Sequence, residues 1–444
     1  MSIKWGGRGC GHISRWSESV ANWNGSPSLY LDFVDGTQTL DPRITFTRAS
    51  TATFTGSDGL IQTAAIDAPR FDYNPTTLAP LGLLIEEQRT NLVTYSEQFD
   101  NAAWTKTNAT ITANTIVAPD GTVNADSISE TTATGNHRAR TASISVSAST
   151  SYTCTVFAKL GFGSVRYLGI GLSSTTDLTT GSRRSYVFDL SNGTATTTGG
   201  STWTVVSGSA TAVGNGWYRC QITVTTDAAA STMVVSIGLS DTFSAATFAS
   251  GYTGDGTSGI YIWGAQLEAG AFPTSYIPTV ASQVTRSADV AVMTGTNFSD
   301  WYNAAEGTVY VEGSWVGLLT ARQAVIINNS ASQSTNFISI QTNPSTATTG
   351  RGGVTVGGTA QAAMNISNAY TAGVLFKAAN AYQQDNFAFT VGGSTPATDT
   401  SGTLPIVNQM QLGAISATTA NIWLRRIAYY PRRLANSELQ AITA

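Results

Sequence analysis

Of 444 residues only 11% are charged, against a usual share of about a quarter, and the formal net charge is −4. A chain of this length can bury an ample core without disulfides or metals. Its acidic balance disfavours a nucleic-acid partner, which requires a basic face to displace counterions. No long uninterrupted apolar run occurs, so no membrane-spanning helix is expected.

Ser and Thr together make up roughly a quarter of the chain, well above average usage. Forty-three glycines and ten tryptophans accompany them, and 41% of residues are hydrophobic. β-Branched Thr suits half-exposed pleated surfaces, and Gly supplies the positive-φ turns between strands. The apolar content argues against disorder. The expected class is all-β.

Residues 1–38 carry Trp5, Trp16 and Trp23 among Gly, Ser and Asn without a clear period, with Cys10 and His12 close together. A segment that cannot bury its own indoles buries them against a partner, so this stretch reads as an anchoring arm. Packing against the chain's own body is the alternative. The opening MSIKWGGRGCGHISRW lacks the continuous apolar core of a signal peptide.

Residues 39–95 hold three short β-like runs, 40–46, 59–65 and 81–85, with a turn-rich 55–59 between the first two. They concentrate Arg43, Arg48, Arg70 and Arg89 in an otherwise Arg-poor chain. The expectation is a small β collar in which these arginines clamp carboxylates, with Asp72, Glu86 and Glu87 as partners. A site for an anionic ligand is the less common use of such arginines.

Residues 96–280 contain several runs with period two. Tyr152, Cys154, Val156 and Ala158 share one face; Tyr218, Cys220, Ile222 and Val224 share another, with Arg219, Gln221 and Thr223 opposite. Tyr261, Trp263, Ala265 and Leu267 line up likewise. Such strands, joined by Gly-, Ser- and Thr-rich turns, predict an antiparallel β-sandwich. Cys154 and Cys220 then fall inward and read as buried free thiols. Residues 281–444 follow a joint at 278–289 and show further strands at 307–315, 336–341, 386–391 and 421–430. A turn marked by Pro431 and a short helix capped by Asn436 close the chain.

Chemistry is sparse. No HExxH, zinc pattern, EF-hand loop or GxSxG occurs, and His12 and His137 fall in different units, the latter read as a surface loop residue. Glycoside hydrolysis needs two carboxylates at a defined separation, whereas the acids of the last unit (Asp289, Asp300, Glu306, Glu312, Asp385, Asp399 and Glu438) are scattered. No catalytic, cofactor-binding or metal-binding residue is expected, and the chain is expected not to be an enzyme. The one cofactor considered is a structural calcium held by Asp241, Asp255 and Glu268. Sugars are held by flat aromatic faces with polar groups around them, which singles out Trp203, Tyr252, Trp315, Tyr370 and Tyr382 as possible glycan contacts. Trp217 lies in an alternating strand and reads as core.

Three stretches carry a family resemblance. LDPRITFTRAS and RTNLVTYSEQF, in the 40–99 region, resemble a module recurring near the N-terminus of bacteriophage head-spike and tail-fibre proteins. GNGWYRCQITVT and IYIWGAQLEAGAFPTSYIPT are similar to the jelly-roll, carbohydrate-binding-module-like domain of the same fibres. NIWLRRIAYYPRRLANSELQAITA is similar to the last strand and helix of concanavalin-like or laminin-G-like sandwiches. The expected architecture is therefore an anchor (1–38), a β collar (39–95), a jelly roll (96–280) and a concanavalin-like sandwich (281–444). The resemblance implies a virion structural protein, a head spike or tail fibre made in the host bacterial cytoplasm. It implies a homotrimer that attaches to capsid, portal or tail proteins through residues 1–38 and presents its sandwiches to host cell-surface polysaccharide. A decoration protein without a specific ligand and a polysaccharide depolymerase are the alternatives.

Overall fold

The computed structural model describes residues 26–198, 202–415 and 418–444. Strand makes up about 50% of the chain and helix 4%, and every strand pair is antiparallel, so the all-β class holds. The proposed anchor residues Trp5, Trp16 and Trp23 lie outside the described residues.

Seven strands precede the jelly roll: β1 (Leu29–Asp32), β2 (Thr45–Thr47), β3 (Ala52–Thr55), β4 (Ile61–Ala64), β5 (Phe71–Tyr73), β6 (Pro80–Ile85) and β7 (Arg89–Asn91). They do not form a free-standing collar. β1 pairs with the strand Ile422–Tyr430 (Leu29 opposite Tyr429), and β6 pairs with the same strand further along (Ile85 opposite Ile422). β2 joins the facing sheet through the strand Val290–Thr294. Two sheets result, of eight and seven strands, closing on one core that mixes Leu29, Leu31, Phe33, Phe46 and Ile85 with Val311, Trp315, Ile327, Phe389 and Ile427.

The expected boundary at residue 38 therefore falls inside this sandwich, because Leu29, Leu31 and Phe33 are buried core. The cause is physical: a strand of alternating apolar residues beside an unpaired edge completes its backbone hydrogen bonds by joining that edge.

The jelly roll is inserted between β7 and the strand Val284–Arg286. Its strands, from Thr105–Thr107 to Gly259–Ala269, pair among themselves in two large sheets and one two-stranded sheet, Thr134–Gly135 with Tyr252–Thr253. The period-two pattern sets their inner faces, with Cys154, Val156, Cys220, Ile222 and Val224 fully buried. Both cysteines are free thiols in this core. In Gly259–Ala269 the alternation breaks. Ile260 and Ile262 face the core, then a bulge at Gly264 (φ +63°) shifts the register and Ala265 and Leu267 take over. Trp263 is thereby turned to the outer face, against Phe157 and Tyr276. The insertion leaves and returns through one two-stranded stem in which Asn91 stands opposite Val284.

Candidate functional site

The five aromatic side chains expected to contact glycan are all buried. Trp203 lies in the jelly-roll core, and Trp315 stacks on Phe376 beside Tyr370 in the other core. The Tyr382 hydroxyl is 2.7 Å from that of Tyr429. Tyr252 donates its hydroxyl to Glu130 and tilts against His137 at 4.5 Å. None presents a ring face to solvent, so these assignments are corrected. A Gly-rich neighbourhood places a residue in a turn but does not say which way its ring points.

His137 is likewise no surface residue. It is fully buried in the strand His137–Arg140, with Nδ1 2.7 Å from the Asn108 carbonyl oxygen and Nε2 3.2 Å from that of Tyr252. The three acids considered for calcium do not meet. Glu268 accepts from Gln266 and Thr274, Asp255 from Thr257, Ser258 and Arg166, and Asp241 is exposed. Among the described residues no group of three or more His, Cys, Asp or Glu is placed to hold a metal.

The arginines clamp carboxylates, chiefly at the joint between the two sandwiches, but the partners differ from those expected. Glu86 and Glu87 take Arg70 and Arg89, whereas Asp72 takes no arginine among the described residues and Arg48 and Arg43 turn to Asp289 and Asp41. Arg70 reaches Glu86 at 2.7 Å and Asp289 at 2.5 Å, Arg48 reaches Asp289 at 3.1 Å, and Arg286 reaches Glu86 at 2.7 Å. Ser275, which follows the jelly roll's last long strand, donates its backbone N–H and hydroxyl to Glu86. Arg89 pairs with Glu87 at 2.6 Å, and Arg43 with Asp41 on the surface. Burial alone would raise the Glu86 pKa, but the guanidinium groups of Arg286 and Arg70 and the Ser275 bonds together outweigh it, and the carboxyl is held down at about 2.

Beside this network a cleft of about 640 Å³ opens between the sandwiches. One wall is the outer face of the jelly roll, from the strands Thr204–Ala212 and Trp217–Thr225. Their register sets Thr211 opposite Arg219 and Ser209 opposite Gln221. These are the polar positions of the alternating pattern, turned outward because Cys220 and Ile222 turn inward. The side chains of Ser207, Ser209, Thr211 and Gln221 make no hydrogen bond among the described residues and line the cleft.

The other wall belongs to the second sandwich and carries Trp423, whose indole N–H donates to Asp72 at 2.8 Å. Trp423 is the one tryptophan among the described residues that is not buried. Asp72 also accepts from the Thr55 N–H at 2.6 Å. It has no cation in contact among the described residues, and burial pushes its pKa up to about 6.

Sequence reasoning passed over Trp423 because it sits in an apolar strand, where a tryptophan reads as core. Arg219 was correctly assigned to the outer face, yet nothing local marked that face as a wall.

No family model matches the chain, and no curated protein matches it either. Among solved structures it is similar to the Ruminococcus gnavus IT-sialidase CBM40 bound to alpha2,3 sialyllactose. That match has 14% identity and a TM-score of 0.28, over 32% of this chain and 84% of the other. The K499G mutant of NanB sialidase from Streptococcus pneumoniae matches at 14% identity and TM-score 0.29, over 34% of this chain and 26% of its own. A leech intramolecular trans-sialidase matches at 14% and 0.27, over 32% and 23%. Sialidases among these matches overturn the expectation that the chain is not an enzyme, and that exclusion is withdrawn. At such identities and TM-scores the likeness lends this chain no reaction, substrate or site.

Proposed function

We propose that this chain is a structural virion protein of the bacteriophage head-spike and tail-fibre kind, and that it holds host-surface glycan in the cleft between its two sandwiches. The resemblance of residues 40–99 and of the jelly-roll segments to those proteins supports the first half. For the glycan, the carrying observation is Trp423: a partly buried indole fixed through its N–H, lining the cleft with a row of hydroxyl and amide groups that have no hydrogen-bond partner among the described residues. An aromatic face opposed by a few unengaged polar groups is the arrangement by which proteins hold sugar rings. In this reading the protein is a homotrimer attached to capsid, portal or tail proteins through its first residues. Many weak sites on one particle then give firm attachment, as effective concentration replaces single-site affinity.

The test is retention of purified full-length protein on host capsular and lipopolysaccharide fractions, beside a Trp423→Ala variant with an unchanged melting transition. Retention that Trp423→Ala abolishes supports the reading. No retention on any fraction, or retention indifferent to Trp423, overturns it. Sedimentation analysis checks the trimer, and a monomer at micromolar concentration removes that part.

A further inference from the structure

Each neighbouring arginine of the joint has a carboxylate. Arg48 and Arg70 have Asp289, Arg70 and Arg286 have Glu86, and Arg89 has Glu87. Arg219, which lines the cleft, has none within 4.0 Å among the described residues. Its Nη2 donates to the Thr274 carbonyl oxygen at 2.8 Å and to Thr155 Oγ1 at 3.3 Å. Among the described residues Nε is buried with no partner and Nη1 makes no hydrogen bond, and the guanidinium lies 5.5 Å from the Phe157 ring centre. Burial, its largest influence, works against the charged form, and the charge of Glu268 offsets this only in part.

No carboxylate nearby is spare. Glu268 is taken by Gln266 and Thr274, Glu86 by two arginines and Ser275, and Asp72 by Thr55 and Trp423. A poorly solvated guanidinium without a counter-charge is costly to hold, and the surrounding fold keeps it in place by its contacts with Thr274 and Thr155. A ligand anion arriving at its open edge removes that cost. A neutral ligand in the same place leaves it standing, so the site discriminates by charge.

Resting on the glycan reading of the cleft, we infer that its ligand is an acidic saccharide whose carboxylate is received by Arg219. Thr211, directly across the strand pair from Arg219, and Gln221, two residues along, lie on the same face to take hydroxyls of the same sugar unit. Trp423 on the opposite wall supports the ring. The shared chemistry is a sugar carboxylate, whether of a uronic acid or of a sialic acid.

The test uses the full-length protein in calorimetric titrations with two matched pairs: a galacturonic acid trimer against its carboxyl-reduced neutral form, and sialyllactose against lactose. The expected result is that the acidic member of at least one pair binds about tenfold or more tightly than its neutral partner. Added salt weakens that preference. Arg219→Gln abolishes it, and Arg219→Lys, which keeps the charge without the planar fork, retains part of it.

Equal binding of acidic and neutral members, absence of binding by both acidic probes while host fractions are still retained, or a preference unchanged in Arg219→Gln each overturns the inference. Neutral binding that is lost in Trp423→Ala leaves the glycan reading standing while the acidic inference falls. Absence of binding by all four probes and by every host fraction removes both. The wild-type pairs decide the matter even if Arg219→Gln does not fold.

Discussion

Arg70 and Asp289 stand 219 positions apart in the chain and meet at 2.5 Å with neither side chain exposed. The same carboxylate takes Arg48 and the backbone N–H of Glu86. One acid just after the insertion thus fixes three points of the segment before it. Ser275 brings the end of the jelly roll into the same network. Removing one member strands the others as buried, uncompensated charge. Asp289→Asn is expected to destabilise the protein by about 3–5 kcal/mol in chemical unfolding. Arg43→Ala, at the surface pair with Asp41, is expected to cost less than about 1 kcal/mol.

Asp72 gives the joint a pH dependence of definite sign. Its folded pKa is raised to about 6 by burial, above an unfolded value near 4. The folded state therefore binds the extra proton between those values, and stability falls as pH rises from about 4 to 6, by roughly 2–3 kcal/mol for this group. Glu86 acts oppositely: held at about 2, its contribution is present above its unfolded pKa and is lost as pH falls toward 2. Asp126, raised to about 6 by burial, adds a slope of the same sign as Asp72. Melting temperatures from pH 3 to 8 should fall through the 4–6 window in the wild type and fall less in Asp72→Asn. An identical profile in the variant contradicts the assignment.

The first strand makes truncation informative. A chain beginning at Thr39 lacks β1 and the buried Leu29, Leu31 and Phe33, each contributing about 1.5–3 kcal/mol of burial. A chain beginning at Ser26 keeps them. Thermal unfolding should show the longer form to be more stable by many degrees, and equal melting would show that β1 contributes nothing.

Gly82 tolerates no side chain. It sits in β6 at φ +114°, and an added Cβ would lie 2.1 Å from the Leu424 carbonyl oxygen. Gly82→Ala combines a disfavoured backbone conformation with a clash against the neighbouring strand. Loss of more than about 3 kcal/mol, or failure to accumulate as soluble protein, is the expected outcome.

The thiols of Cys154 and Cys220 should be silent in the folded protein. Burial pushes the Cys154 pKa up to about 12 and that of Cys220 higher still, and neither side chain is exposed. In a Cys10→Ser background, a thiol-reactive chromophore at pH 8 should report none before unfolding and two after it. Rapid labelling of the native protein would contradict this.

What was legible in the chain was local. Cys220, Ile222 and Val224 announce an inward face because alternation is a property of neighbours, and Arg70 with Glu86 are close enough in sequence to suggest a pair. Asp289 was not legible as their partner, nor Tyr429 as the partner of Leu29, since strand pairing across hundreds of residues leaves no trace in either segment. The flip at Gly264 escaped for another reason: a single extra residue in a bulge reverses the side-chain pattern while leaving its period intact. The aromatic candidates failed because exposure of a ring depends on what packs above it. Trp423 is partly exposed and Trp315 closed, although both stand in strands of the same sheet.

The stem formed by β7 and Val284–Arg286 has a consequence for how such a chain diversifies. Because Asn91 and Val284 already stand side by side, the jelly roll can be exchanged for a domain of different length without displacing the strands on either side of the junction. The cut is not free, however. An incoming domain must supply its own counterpart of Ser275 to the buried charges at the joint and its own wall opposite Trp423. Recombination at this stem therefore replaces one wall of the cleft while the wall that carries Trp423 stays constant, and on the glycan reading proposed above each exchange changes what that cleft holds.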